Sequence, residues 1–155
     1  MRTGKLALLL ALSALLAASH VAGCGGSSDP FTRIESTYDG RVAALCRSCP
    51  AAAGATTEAE CRTAAAANDP FSGAEFECQR AAYRMYPSEL GPYYDCIARA
   101  VTGFDGCMRS AARTCPPASA DITACSDAMN ASIRTCPMPD SIAASQAVSA
   151  CFAGP

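Results

Sequence analysis

Residues 96–136 read CIARAVTGFDGCMRSAARTCPPASADITACSDAMNASIRTC. Cys96 and Cys107 are 11 residues apart, as are Cys125 and Cys136. Eleven residues is about three α-helical turns, so each pair shares one helix face. In an antiparallel hairpin, facing residues have a constant index sum. Cys96 with Cys136 and Cys107 with Cys125 both give 232. The implied turn centre is position 116, where Pro116-Pro117 interrupts the chain. The spacing predicts two helices bridged by Cys96–Cys136 and Cys107–Cys125. Two features compete with that register. Cys115 stands beside the turn and is ten residues from Cys125, and a bend at Gly103 to Gly106 would rotate Cys107 off the face.

The arrangement resembles the twin-cysteine helical hairpins called CHCH domains. Those use nine intervening residues where this chain has ten. The likeness is one of architecture and implies no activity.

The helical reading extends along the chain. Phe31, Ile34, Tyr38, Val42, Leu45 and Cys49 recur at the spacing of one helix face, with Gly40 as a weak point and Pro50 as the stop. Thr57 with Glu60, and Ser72 with Glu75, have capping-box spacing and open helices ending near Ala67 and Tyr86. Asn68-Asp69-Pro70 breaks the chain between them. Pro87 to Pro92 reads as a turn, followed by a helix from about Tyr93 to Cys115. Ile122, Cys125, Met129, Ile133 and Cys136 mark another helix, and Asp140 caps a last one ending near Phe152. No segment alternates as a strand does. Arg-Ser/Thr-Cys-Pro recurs at Arg47, Arg113 and Arg134, each reading as a helix exit. The expected fold is all-α: five or six short helices in antiparallel hairpins, stapled by about five disulfides.

The staples answer a thin core. From Cys24 onward, Leu, Ile, Val and Phe number 15 in 132 residues, fewer than a domain held by hydrophobic burial normally carries. Beyond the predicted hairpin pairs, Cys46, Cys49, Cys61, Cys78, Cys115 and Cys151 have no partner assigned by spacing. Cys46 with Cys61, Cys61 with Cys78, and Cys125 with Cys151 all centre on plausible turns and compete for the same residues.

The N-terminus begins with a basic segment, Met1 to Lys5, and an uncharged apolar run from Leu6 to Ala18. That run falls short of the ~20 residues a transmembrane helix needs. Val21-Ala22-Gly23-Cys24 follows and resembles a bacterial lipobox. The resemblance implies that the Cys24 thiol receives a diacylglycerol and becomes the first mature residue. Ordinary signal-peptidase cleavage is the rival: after Ala22 it places His20 at −3, and after Ser19 it places Ala17 there. Cysteine parity favours the lipobox. The chain has 11 cysteines, and removing Cys24 leaves an even set. The expected organisation is a signal peptide over 1–23, a lipidated cysteine and flexible tether over 24–30, and a disulfide-rich helical domain over 31–155. Gly25, rather than Asp, follows the cysteine; in the enteric sorting pattern this resembles an outer-membrane destination.

Function is less legible. From Cys24 onward ten Arg face fourteen acidic residues, a net charge of −4, with no Lys. That is no footprint for nucleic acid. The one histidine, His20, lies in the leader, which removes histidine-dependent nucleophilic triads from consideration. Neither metal nor cofactor is expected. Cys46-Arg47-Ser48-Cys49 is a C-x-x-C, but it falls at a helix C-terminus, where the dipole disfavours a thiolate. Glu58/Glu60 and Glu75/Glu77 lie in first helical turns, where acids suit the dipole. Tyr83, Tyr86, Tyr93 and Tyr94, with Arg80 and Arg84, form the one cluster of interface type; the competing reading is a wedge at a helix corner. The expected function is a non-catalytic, lipid-anchored envelope protein that contacts another envelope protein or the cell wall. The alternative is a thiol-disulfide redox participant using Cys46/Cys49.

Overall fold

Asp29 and Pro30 open the first helix. The computed structural model describes residues 29–153; Cys24 and the leader lie outside them. Helix α1 is Pro30–Ser48. Proline is favoured at a first helical position because its missing N–H is an orphan there anyway. The Asp29 carboxylate accepts from the Phe31 N–H at 3.2 Å. A 3₁₀ turn, Pro50–Ala53, ends on Gly54 at φ 68°, a left-handed conformation that favours glycine.

Helix α2, Glu58–Ala67, has the expected capping box. The Glu60 N–H donates to the Thr57 hydroxyl at 3.2 Å, and the Thr57 N–H donates back to the Glu60 carboxylate at 3.2 Å. Helix α3 is Ala74–Met85, with Gly73 at its cap. The expected Ser72 cap is absent. Asp69 organises the break instead: its carboxylate accepts from the Phe71 N–H and its carbonyl from the Ser72 hydroxyl, both at 2.9 Å. The Ser72 hydroxyl is consumed by that turn.

Helix α4 is Pro87–Ala111, longer at its start and shorter at its end than expected. Pro87 to Pro92 is not a turn. Pro87 sits at the favoured first position, and Pro92 inside the helix forgoes one backbone bond. Burial of Leu90 and Tyr94, 0% and 1% exposed, outweighs that loss. The helix runs unbroken through Gly103 and Gly106, so Cys107 keeps its face. Cys115 lies beyond the helix end. Helix α5 is Ser119–Arg134 and α6 is Ile142–Ala150. Ser141, not Asp140, caps α6, accepting from the Ala144 N–H at 3.3 Å.

The fold is all-α and held by five disulfides. Helices α1 and α2 form one antiparallel hairpin, with Cys46 bonded to Cys61 and the Tyr38 hydroxyl donating to the Ala65 carbonyl. Helices α4 and α5 form another, bonded Cys96–Cys136 and Cys107–Cys125. Between the hairpins, α1 and α4 pack parallel. Arg33 meets Asp95, Arg41 lies over Phe104 and Cys49 bonds Cys115, in ascending order on both helices. Cys78–Cys151 ties α3 to α6. The apolar centre is Phe31, its ring centroid 4.6 Å from Tyr94, 5.1 Å from Phe76 and 5.6 Å from Tyr83. Ile34, Leu90, Val101 and Ala144 complete it. Among the described residues no helix is long and apolar enough to cross a membrane.

Candidate functional site

All ten cysteines of the described residues are bonded. The α4–α5 pairs are those with the shared index sum, with Cα–Cα distances of 5.5 and 5.7 Å, within the usual disulfide range. Of the competing turn-centred pairs, Cys46–Cys61 forms; Cys61–Cys78 and Cys125–Cys151 do not. Cys115 takes Cys49 rather than Cys125. The two cysteines of the C-x-x-C are not bonded to each other. Cys46 and Cys49 belong to different bridges, and both are buried.

The carboxylate pairs do structural work. Glu58 pairs with Arg62, Glu60 caps α2, Glu75 accepts from the Gln79 amide, and Glu77 pairs with Arg80. The Glu60 carboxyl is held below its ordinary range because the Thr56 hydroxyl and backbone N–H donate to it.

The tyrosine cluster divides. Tyr94 is core, and its hydroxyl donates to the Gln79 side-chain oxygen at 3.3 Å. Burial pushes its phenol far up, and Tyr93 adds to that. Tyr83, Tyr86 and Tyr93 are half-buried against the same core, wedging the α3–α4 corner. Arg80 stacks over Phe76 and Phe31, 5.2 and 5.7 Å from their ring centroids, and pairs with Glu35 of α1. Arg84 is exposed.

A different hollow lies beside the aromatic core. Phe31, Phe71, Phe76 and Tyr94 line a cleft of about 440 Å³ between α1, α3 and the Asp69 turn. Asp69, Glu75 and Gln79 supply hydrogen-bond acceptors in its lining. Phe31, Tyr94 and Phe76 are buried, so Phe71 supplies the accessible ring, which beside carboxylate and amide oxygens suits an apolar-faced ligand rich in donors, such as a sugar. Phe71 and Phe76 were not singled out by spacing. Their only signal is their position just after the Asp69-Pro70 break, Phe71 before the start of α3 and Phe76 in its first turn. Among the described residues, no cluster of three or more His, Cys, Asp or Glu is arranged to hold a metal ion.

No protein-family model, no curated protein and no solved structure matches the chain. The five bridges are consistent with an oxidising, extracytoplasmic compartment.

Proposed function

We propose that the chain is a non-catalytic cell-envelope lipoprotein, anchored through Cys24, whose helical domain binds a cell-wall glycan or an envelope protein through the aromatic cleft. Cysteine parity carries the anchor. Ten cysteines are engaged in five bridges, and Cys24 is the eleventh. Its thiol is then the one available for lipid. Residues 25–29 would span at most ~18 Å when extended, which keeps the start of α1 close to the membrane surface. The cleft supports the binding role, since α1 and α3, which build it, are each bridged to another part of the fold, so less is lost in ordering it on contact.

The anchor is tested by labelling cells with a fatty acid. Wild-type chain takes up label; Cys24→Ser does not, and accumulates as precursor or as a soluble form. Equal labelling and equal membrane partitioning of the two would refute the anchor. The binding role is tested by pull-down from the native envelope with the lipidated chain, compared with Phe71→Ala. Loss of the captured component with Phe71→Ala supports the cleft, and unchanged capture rules it out as the contact.

A further inference from the structure

The C-terminal half of α1 and the end of α4 leave a second hollow, a groove of about 340 Å³. Its apolar surface comes from Ala44, Leu45, Met108 and Ala112. Arg41, Arg109 and Arg113 also line it. Three cations on one small groove stand out in a mature chain of net charge −4.

The three are not equivalent. Arg109 pairs with Asp105, an acid only 3% exposed. Arg113 is exposed and forms no ion pair among the described residues. Arg41 is half-buried, its guanidinium 4.7 Å from the Phe104 ring centroid and 5.1 Å from that of Tyr38. It too has no ion pair among the described residues. Burial lowers its pKa, and the charge of Asp105 offsets part of that. Arginine nevertheless stays protonated in proteins. The two rings hold in place a half-buried cation that feels the charge of Asp105 but forms no ion pair with it, and such a group gains from a charge-assisted partner.

We propose that this groove binds a small amphiphilic carboxylate, its head drawn by the positive charge of Arg41 and Arg113 at the groove's rim and its alkyl stem lying on Leu45 and Met108. A planar carboxylate matches the guanidinium fork. The apolar surface between the arginines accounts for the stem. The volume lies at the small end of the ~300–1,000 Å³ range for ligand pockets, which fits a short stem rather than a two-chain lipid. Leu45 lies 15 residues along α1 from Pro30, or ~22 Å at helical rise, so the groove is at the far end of the helix from the segment that leads to Cys24. The inference does not depend on the anchor or on the aromatic cleft.

Isothermal titration of the purified, oxidised full-length chain with octanoate tests it. Octanoate is expected to bind at one site per chain, while acetate and octyltrimethylammonium bind at least tenfold more weakly. Arg41→Gln and Arg113→Gln are each expected to weaken octanoate at least tenfold. Arg113 is exposed, so its variant keeps the fold even if Arg41→Gln loosens it, and circular dichroism verifies both. Arg134→Gln, on another helix, leaves the affinity unchanged. Absence of octanoate binding, equal binding of octyltrimethylammonium, or full affinity in Arg113→Gln would each overturn the proposal.

Discussion

Cys49 and Cys115, 66 residues apart in sequence, are bonded with their Cα atoms 5.5 Å apart. The bridge joins the end of α1 to the segment just beyond the end of α4. Those two helices run parallel, so no short loop can connect them, and two hairpins must be brought together before the bond can form. Arg33 with Asp95 closes the opposite end of the same pair. The bridge therefore does more than close a loop: it fixes the side of α4 against which α1 lies.

Loop length sets the expected cost of losing each bridge. For a loop of 66 residues the chain-entropy model gives about 4 kcal/mol, and for 15 residues about 3 kcal/mol. Removing both partners as Cys49→Ala/Cys115→Ala should therefore destabilise more than Cys46→Ala/Cys61→Ala. Urea melts of the two double variants compare them directly, and a reversed order would contradict the entropic account.

Complete reduction should unfold the domain. Five bridges at ~2–5 kcal/mol each match or exceed the ~5–15 kcal/mol of net stability usual for a domain, and 15 large aliphatic and Phe side chains are few to replace them. Far-ultraviolet circular dichroism with and without reductant reads this out. A cooperative melt unchanged by reduction would show that the helices pack without staples.

Phe31 is the side chain whose truncation should cost most. It is 0% exposed and touches three other aromatic rings. Phe31→Ala is expected to cost about 3–5 kcal/mol, against less than 1 kcal/mol or so for an exposed position such as Phe152→Ala, where little is buried. Denaturant midpoints measure the difference.

The two serine/threonine positions at helix starts should separate. Thr57→Ala removes a cap and is expected to cost about 1 kcal/mol. Ser72→Ala removes a hydroxyl that bonds only within a turn and should stay within ~0.5 kcal/mol of wild type. The Thr57 cap also has a pH signature. A carboxyl held below its ordinary range stabilises the fold above that range, and the stabilisation is lost as pH falls through the lowered value. Glu60 is such a group. Stability curves of wild type and Glu60→Gln should therefore converge at low pH and separate above the ordinary glutamate range; parallel curves would remove Glu60 from the account.

Spacing determined most of the helices and the α4–α5 register, and composition pointed to staples. The helices and the register are local: facing positions across a short turn have a constant index sum, so Cys96, Cys107, Cys125 and Cys136 state their partners by number. The Thr57–Glu60 box is local in the same way. The prolines misled, because Pro87 and Pro92 read as a break, and only the burial of Leu90 and Tyr94 shows why the helix persists through them. Tertiary structure alone decided Cys49–Cys115 and Cys78–Cys151. Helices that are not neighbours in sequence have no shared turn to set a register, and their alignment follows from which apolar faces fit, here those around Phe31 and Ile34. The same packing drew Tyr94 inward, opened the cleft beside Phe71 and Phe76, and set Arg41 between Tyr38 and Phe104. These sites join residues from separate helices, so no spacing within one segment announces them.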